Sequence, residues 1–396
     1  MNETPRANRL HIGIFGRRNS GKSSLINALT NQEIALVSDE PGTTTDPVYK
    51  NIEILPIGPC VIIDTAGIDD IGDLGNLRIE KTKEVLEKTD IAILVIDPKS
   101  SISDFESQLI EQFKKINIPF ITVLSKFDIY KPDKKILEEK LENEPKLISS
   151  KTGKGIEELK EELIQKAPAQ LLDRPIVGDL ISAGDVLILV TPIDAAAPKG
   201  RLILPQVQTI RDILDHNGQA LVVKETELKN ALKSLTSNPK LVITDSQVFK
   251  EVDEILKKDV PLTSFSILLA RYKCDLQSLV DGVNVISNLT PNSKILVAEA
   301  CTHHRQKDDI ATKKIPTLLR KRIGEKLEFE FSSGSTIPQN IREFDLIIHC
   351  GGCMLNRKQM LNRIEKAKLA GVPITNFGIV LAYLNDILDR ALKPVL

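Results

Sequence analysis

The sequence predicts an α/β protein of three domains, in which a doubly wound parallel sheet is followed by two smaller α/β domains. Short, almost continuously apolar runs alternate with longer amphipathic stretches, which is typical of buried parallel strands joined by helices. The chain has 396 residues, too many for one ordinary hydrophobic core. Hydrophobic residues at 41% and charged residues at 27% are typical of a globular protein.

The first predicted domain covers residues 1–170. Its predicted strands are HIGIFG at 11–16, CVIID at 60–64, IAILVID at 91–97 and FITVLS at 120–125. Its predicted helices are 22–30, 77–88 and 102–116. This alternation favours a doubly wound parallel sheet. The two prolines of APAQLLDRPIVG at 167–178 then predict a linker.

The second predicted domain, residues 171–270, repeats the alternation on a smaller scale. Its predicted strands are VLILVTPID at 186–194, QALVVK at 219–224, PKLVITD at 239–245 and SFSILLA at 264–270. Its predicted helices are 205–215, 225–235 and 246–257.

The third predicted domain covers residues 271–396. Its predicted strands are KILVAEA at 294–300, KLEFEF at 326–331, DLIIHC at 345–350 and VPITNF at 372–377. Its longest predicted helix is 357–370. The last two domains share the strand–helix alternation, but we see no convincing internal sequence repeat.

Composition and charge argue against several classes of partner. The formal net charge is -1, and aromatic residues make up 4% with no Trp, so nucleic acid is not an expected partner. No apolar run reaches the roughly 18 residues of a membrane span, and the opening MNETPRANRL lacks the apolar core of a signal peptide. Five cysteines, three of them clustered, argue against a disulfide framework. We therefore expect a protein of the reducing cytoplasm with no membrane partner.

A phosphate-binding loop follows the first predicted strand. GRRNSGKS at 16–23 satisfies the pattern GxxxxGK[ST] between a strand and a helix. The backbone N–H groups of such a loop surround phosphates at a helix N-terminus. Lys22 is expected to neutralise the β- and γ-phosphates, and Ser23 to bind Mg²⁺. The loop alone leaves the base open between ATP and GTP.

Two later loops favour GTP. DTAG at 64–67 matches the DxxG loop of GTPases, in which Asp64 would hold Mg²⁺ through water and the Gly67 N–H would contact the γ-phosphate. SKFD at 125–128 stands where GTPases carry [NT]KxD. Asp128 can accept hydrogen bonds from both N1–H and the 2-amino group of guanine, which adenine cannot offer.

The loops together resemble those of the TrmE–Era group of GTPases. SSK at 149–151 matches the last base-contacting loop, and PGTTTD at 41–46 stands where the group has PGTTRD. The resemblance implies that Thr44 is the switch threonine that meets Mg²⁺ and the γ-phosphate. The predicted nucleotide-binding residues are Gly16, Asn19, Ser20, Gly21, Lys22, Ser23, Ser24, Thr44, Asp64, Gly67, Ser125, Lys126, Asp128, Ser149, Ser150 and Lys151. Those predicted to act in hydrolysis are Asn19, Lys22, Thr44, Asp64 and Gly67.

Three positions bear on the predicted hydrolysis. Ile68 stands where Ras-like enzymes have a glutamine that orients water, so slow intrinsic hydrolysis is expected. In potassium-stimulated members of the TrmE–Era group, an asparagine at the position of Asn19 binds K⁺ beside the phosphates, and such a cation would stabilise developing charge. Ser125 replaces the usual asparagine, which predicts weaker, micromolar nucleotide binding.

A cysteine pattern lies in the last predicted domain. CTH at 301–303 and HCGGC at 349–353 each begin where a strand is predicted to end. Two parallel strands that end together would bring Cys301, Cys350 and Cys353 to one edge of a sheet. Thiolates in this arrangement suit a soft metal or an iron–sulfur cluster. A closed zinc site of three cysteines and one histidine, and a [4Fe–4S] cluster with an exchangeable fourth ligand, are both open.

The histidines beside these cysteines are candidates for the fourth ligand. His303 and His349 are near these cysteines in sequence, and imidazole serves either as a ligand or as a donor to ligands.

A TrmE/Era-like G domain followed by CxH…HCxxC resembles the HydF family of [FeFe]-hydrogenase maturation GTPases, over the whole chain. The resemblance implies a GTP-binding domain at 1–170, a dimerisation domain at 171–270 and a cluster-binding domain at 271–396.

The HydF resemblance also implies a function. Cys301, Cys350 and Cys353 would hold a [4Fe–4S] cluster, and GTP, Mg²⁺ and K⁺ would bind the first domain. The protein would assemble or carry the diiron precursor of the hydrogenase H-cluster. Its partners would be two radical-SAM maturases, apo-[FeFe]-hydrogenase and further copies of this chain, as a homodimer or a higher oligomer.

A second hypothesis uses the same G domain. A TrmE/Era-like GTPase acting in tRNA modification or ribosome assembly, with a structural zinc site, would share these loops. The sequence shows neither a GxxG-type RNA clamp in a basic setting nor a strongly basic tail.

Overall fold

The computed structural model describes residues 5–30, 47–65, 82–99, 102–130, 141, 144–168, 174–193, 202–300, 309–334, 337–338 and 340–396. The chain divides into two compact units, residues 1–173 and 174–396. Both units are built from mainly parallel sheets flanked by helices, which confirms the predicted α/β fold class.

The first unit contains one six-stranded sheet. Its strands are β1 (Leu10–Phe15), β2 (Val48–Ile54), β3 (Gly58–Asp64), β4 (Ile91–Ile96), β5 (Phe120–Leu124) and β6 (Lys146–Leu147). They lie in the order β2-β3-β1-β4-β5-β6, and only β2 is antiparallel to its neighbour. The four predicted strands form the buried centre, whereas the short or half-exposed outer strands β2 and β6 carry no long apolar run and were not predicted.

Helices cover this sheet on both faces. They are α1 (Lys22–Thr30), α2 (Asp104–Lys115) and α3 (Ile156–Lys166), and residues 82–88 are also helical. On one face Ile12 and Ile14 pack in a core that includes Leu25. On the other, Phe15 and Phe113 meet edge to face with ring centroids 5.2 Å apart. The sheet is therefore buried on both sides, as its continuously apolar strands predict.

The second unit contains two four-stranded parallel sheets. The first consists of β7 (Val186–Val190), β8 (Gln219–Val223), β9 (Leu241–Thr244) and β10 (Leu262–Ser264). The second consists of β11 (Lys294–Glu299), β12 (Glu328–Ser333), β13 (Leu346–His349) and β14 (Ile374–Asn376). One continuous hydrophobic core extends through both sheets.

Nine α-helices lie within the described part of this unit. They are α4 (Leu204–Asp215), α5 (Leu228–Ser234), α6 (Phe249–Ile255), α7 (Phe265–Lys273), α8 (Leu276–Asn284), α9 (Ile315–Ile323), α10 (Arg357–Ala370), α11 (Phe377–Leu384) and α12 (Leu388–Leu392). A π-helix, Ile310–Lys314, leads directly into α9.

The strand prediction at residues 264–270 is wrong. The strand β10 ends at Ser264, and the apolar run that follows is the helix α7. The Ser264 hydroxyl accepts a hydrogen bond from the N–H of Ile267 at 3.3 Å and so caps the helix. A short apolar run has the same composition in a buried strand and in a buried helix, and here the capping serine marks the difference.

The two small sheets are copies of one arrangement. Their strand orders are β8-β7-β9-β10 and β12-β11-β13-β14, with matching registers: Leu187 lies opposite Leu241, and Ile295 opposite Leu346. The last strand and following helix of each half read LTSFSILLA and ITNFGIVLA, from Leu262 and Ile374 onward, and share Thr, Phe, Ile, Leu and Ala at matching places. The repeat that the sequence alone did not reveal is therefore present.

The duplicated helices α7 and α11 meet at their first turns. A Cβ at Gly378 would lie 2.4 Å from the Cβ of Ser266, so only glycine fits there. The side-chain amide of Asn376 also donates to the carbonyl of Ser266 at 3.2 Å. The registers of the two sheets also match beyond the strands: Cys350, which follows β13, takes the position that Asp245 takes after β9 in the other half.

Candidate nucleotide site and candidate metal centre

The phosphate-binding loop joins β1 to α1 at the carboxyl edge of the first sheet. Gly16 has φ +146° and Gly21 has φ +97°, values that favour glycine. A Cβ at Gly16 would lie 2.2 Å from the carbonyl oxygen of Val95, so the loop also needs glycine for space. Its backbone thus runs along the end of β4 and enters the helix N-terminus, where N–H groups attract anions.

Lys22 points back into this loop. Its side chain is 7% exposed, and Nζ donates to the carbonyl oxygens of Gly16 and Arg17, each at 2.7 Å. The ammonium is therefore already held at the centre of the ring of backbone that would surround phosphates. This is the place where a P-loop lysine neutralises phosphate charge.

The two described oxygen ligands predicted for Mg²⁺ are neighbours. The Ser23 hydroxyl lies 3.5 Å from Oδ2 of Asp64, the last residue of β3, whose register partner is Ile14 on β1. Burial raises the pKa of Asp64, and this effect outweighs the opposing charges of Lys22 and Lys50. The other predicted phosphate-side residues, Thr44 and Gly67, lie outside the described residues, as does Ile68.

The loop at 125–128, which is predicted to contact the base, lies against the phosphate-binding loop. The Ser125 hydroxyl donates to the carbonyl of Ser20 at 2.6 Å. Nζ of Lys126 bridges the carbonyl of Asn19, at 2.7 Å, and the carboxylate of Asp97, at 2.6 Å. Burial of Asp97 by itself would raise its pKa, but the Lys126 hydrogen bond and charge outweigh this and lower it.

The carboxylate that is predicted to select guanine, Asp128, is held by hydrogen bonds. Oδ1 of Asp128 accepts a hydrogen bond from the Ser149 hydroxyl at 2.8 Å, and that hydroxyl accepts one from the Thr152 N–H at 3.2 Å. Ser150 and Lys151 lie in the same turn. The predicted base-contacting loops therefore meet at one edge of the sheet, after β5 and β6.

One contributor to this site was not predicted. Arg17 donates through Nε to Oε1 of Glu106, whose side chain is 1% exposed. Glu106 also accepts from the backbone and hydroxyl of Ser103, so it closes a capping box at the start of α2. The Ser-x-x-Glu spacing was a visible signal of this cap, but nothing in the sequence linked it to the phosphate-binding loop.

The candidate metal centre lies at the carboxyl ends of β11 and β13. These strands are parallel neighbours, with Ala298 opposite His349, and the N–H of Cys350 donates to the Ala298 carbonyl at 2.9 Å. The Sγ of Cys350 accepts from the N–H groups of Ala300, at 3.1 Å, and Gly352, at 3.4 Å. Burial raises the pKa of the Cys350 thiol, although these two donors act in the opposite direction.

The turn after Cys350 brings a second thiol to the same edge. Gly352 has φ +60°, and a Cβ there would lie 2.7 Å from the Met360 sulfur, so glycine is favoured. Cys350 and Cys353 are both free thiols with part of their surface exposed. Cys301 and His303 lie outside the described residues, and the described ranges contain no cluster of three metal-binding side chains.

His349 has partners for both ring nitrogens. Its Nδ1 donates to the carbonyl of Cys350 at 2.6 Å, and its Nε2 accepts from the guanidinium of Arg363. Burial, followed by the Arg363 charge, lowers the pKa of His349 to about 3. The imidazole is therefore neutral, and a metal-binding role would require it to give up one of these contacts.

The described helices give no indication of a membrane span: none is both long and apolar enough to cross one.

The chain matches three protein-family models. Residues 176–274 match the hydrogen maturase F dimerization domain, and residues 277–394 match the hydrogen maturase F tetramerization domain. Residues 11–126 match the 50S ribosome-binding GTPase model. The first unit thus carries a GTPase domain, as its loops predict.

Curated relatives of the chain include GTPases. GTPase Der from Wolinella succinogenes is 34% identical over 187 residues, 42% of this chain and 39% of the relative. The tRNA modification GTPase MnmE from Mycoplasma mobile is 40% identical over 125 residues, 31% of this chain and 28% of the relative. The chain thus spans less than half the length of these relatives.

Solved GTPase structures are also similar. The G domain of the T. maritima FeoB iron transporter is 26% identical, with a TM-score of 0.32, covering 40% of this chain and 99% of that chain. Era from Aquifex aeolicus is 21% identical, with a TM-score of 0.37, covering 56% of this chain and 97% of that chain.

Proposed function

Because the chain belongs to the hydrogen maturase F family, we propose that it is a GTP-hydrolysing scaffold of [FeFe]-hydrogenase maturation. In this role it assembles or delivers the diiron precursor of the H-cluster, which is its cargo, to apo-hydrogenase. The observation that carries the proposal is the cysteine turn at the end of β13, on a chain that also has a complete set of guanine-nucleotide loops.

The described residues fit an iron–sulfur cluster. Cys350 and Cys353 are free, partly exposed and joined by a tight glycine turn. Two backbone N–H groups donate to Sγ of Cys350, a contact that stabilises a thiolate ligand. Cys301, two residues beyond the end of the neighbouring strand β11, would be the third ligand. A bound [4Fe–4S] cluster of this kind supplies one iron with an exchangeable coordination position.

Of the two candidate histidines, His303 is the better fourth ligand of the cluster in this proposal. Both ring nitrogens of His349 have protein partners, and ligation would leave either the Arg363 guanidinium or the Cys350 carbonyl without its present contact. Loss of a buried partner costs about 1–3 kcal/mol. His349 is better suited to support the turn that presents Cys350.

The residues of the GTPase site have separate tasks in this proposal. Lys22 neutralises the phosphates, and Ser23, Thr44 and Asp64 hold Mg²⁺, with Asp64 acting through water. Asn19 would bind K⁺ beside the phosphates. Its backbone carbonyl is already held by Lys126, and its φ of +59° gives the loop a fixed conformation there.

The proposed partners follow from the family. Dimerization and tetramerization domains support a homo-oligomer, and the maturation role implies two radical-SAM maturases and apo-hydrogenase as further partners. The four described cysteines, Cys60, Cys274, Cys350 and Cys353, are free, which supports a reducing compartment such as the cytoplasm.

Anaerobic reconstitution with iron and sulfide tests the proposal. We expect close to four irons per chain and an EPR signal on reduction, both lost in Cys350→Ser and retained in Cys274→Ala, which changes a buried cysteine. A colourless protein that keeps one zinc through reconstitution would contradict the cluster and favour the zinc-containing GTPase hypothesis.

The same preparations test the nucleotide half. GTP hydrolysis should be abolished by Lys22→Ala with the cluster unaffected. Salt-dependent binding of RNA in gel shifts, together with zinc, would instead favour a role in tRNA modification or ribosome assembly.

A further inference from the structure

A buried lysine lies beneath the cysteine turn. Lys273 is the last residue of α7 and is 2% exposed. Its Nζ donates to three backbone carbonyls of the turn: Gly352 at 2.8 Å, Cys353 at 3.2 Å and Leu355 at 2.8 Å. All three donor positions of the ammonium are thus used on the segment that presents Cys353.

No carboxylate of the described residues pairs with this ammonium. Within the described part of the chain, Lys273 makes hydrogen bonds only to these carbonyls and forms no ion pair. A buried charge without a counter-ion is costly, so it is retained where an anion binds or where it has a specific task. The groups whose negative charge would favour the Lys273 ammonium are the thiols of Cys353, Cys274 and Cys350.

The duplicated fold does not itself require lysine at this place. In the other half the corresponding residue after α11 is Asn385, and its side-chain amide donates to the carbonyl of Leu381 in the same helix, at 2.7 Å. Asn385 is neutral, so a cation at this helix end is particular to the helix that reaches the cysteine turn. In the half without the cysteines, the half-buried Lys314 donates to the carbonyl of Gln247, which corresponds to one of the three carbonyls that Lys273 binds.

We propose that Lys273 is the positioning residue of the Cys350–Cys353 turn, holding its carbonyls in place and supplying the positive charge that an anionic metal–thiolate centre needs. The charge argument rests on the proposed function, whereas the positioning argument does not. Three thiolates and a [4Fe–4S]²⁺ core carry a net charge of −1, which one ammonium balances.

The other charged groups at this edge fit the assignment. Arg363 contacts His349 and also donates to the carbonyl of Gly334 at 2.5 Å, so a second buried cation flanks the site. Glu299, at the end of β11, is a buried carboxyl group at the same edge. Among these described residues, two cationic side chains therefore accompany one carboxyl group.

Lys273→Met tests the positioning role in metal-free protein. Hydrogen exchange of the backbone amides of residues 350–355 should accelerate about tenfold, because the turn loses three anchors. Lys314→Met is the matched control: Nζ of Lys314 donates to the carbonyl of Gln247, at 2.6 Å, in the corresponding turn of the other half. It should leave exchange at residues 350–355 unchanged. Unchanged exchange in Lys273→Met would overturn the proposal.

Two measurements separate this result from unfolding and from failure of the proposed function. Cys274 is buried, so its protection from alkylation reports that the variant is folded, and Lys273→Gln, which keeps a donor without the charge, provides a second folded variant. After reconstitution, both variants should bind less than half the iron of the unchanged protein. Full iron binding would overturn the charge role. If the unchanged protein binds no iron, the proposed function fails, and the exchange data still decide the positioning role.

Discussion

The hydroxyl of Ser125 donates a 2.6 Å hydrogen bond to the backbone carbonyl of Ser20, in the phosphate-binding loop. The loop comes unusually close here, since a Cβ on Gly21 would lie only 3.3 Å from the Ser125 Cβ. A serine therefore reaches the loop from a position where related GTPases use the longer asparagine. The brace between base-side and phosphate-side loops is present in this chain, made by a shorter side chain.

Ser125→Ala should weaken nucleotide binding. Loss of this buried hydrogen bond costs about 1 kcal/mol, which corresponds to roughly fivefold in the dissociation constant of GDP. Titration with a fluorescent GDP analogue measures it. Ser107→Ala, which removes an exposed hydroxyl from α2, is the control and should bind as the unchanged protein does. Equal affinity of the two variants would contradict a bracing role.

Asp64→Asn should stabilise the nucleotide-free protein by about 1 kcal/mol at neutral pH while abolishing Mg²⁺-dependent hydrolysis. The folded-state pKa of Asp64 is raised by burial, so its contribution to stability is greatest at low pH and is lost as the pH rises through the folded-state pKa. Thermal denaturation measured from acidic to neutral pH should show that Asp64→Asn loses less stability with rising pH than the unchanged protein does. A variant less stable than its parent at neutral pH would refute this.

Glu106→Gln should destabilise the first unit by about 1–3 kcal/mol, because a buried carboxylate that accepts from Arg17 and Ser103 loses its charge. Denaturant titration measures the effect. Glu111→Gln, on the exposed side of the same helix, is the matched control and should change stability by less than about 0.5 kcal/mol. Similar stabilities for both variants would show that the buried pair contributes little.

Asn19→Gly tests potassium stimulation. Asn19 has φ +59°, where alanine would strain the loop and glycine would not, so the glycine variant removes the side chain alone. Hydrolysis by the unchanged protein should be several-fold faster in KCl than in NaCl, and the variant should lose that difference. A variant that still responds to K⁺ would place the cation elsewhere.

The sequence was most informative where a function requires particular residues at a fixed spacing along the chain. The phosphate-binding loop, the DxxG aspartate and the SKFD loop are short motifs whose residues act together, and Lys22, Asp64 and Asp128 all lie at one edge of the sheet. Buried parallel strands were also found, because both their faces are apolar. The helix at 265–273 was misassigned in part, since burial on all sides removes the periodicity that distinguishes a helix.

Order along the chain and residue type were enough to predict the α/β class, the nucleotide site and the cysteine pattern, because each depends on neighbours within a few residues. The roles of Glu106 and Lys273, and the duplication of the two small sheets, depend on contacts between residues about 80 to 110 positions apart. Burial selects such contacts when strands align and helices pack, and a buried lysine has the same letter in the sequence as an exposed one. Only the tertiary structure places Lys273 under the cysteine turn, so its proposed positioning role could not be predicted from the sequence.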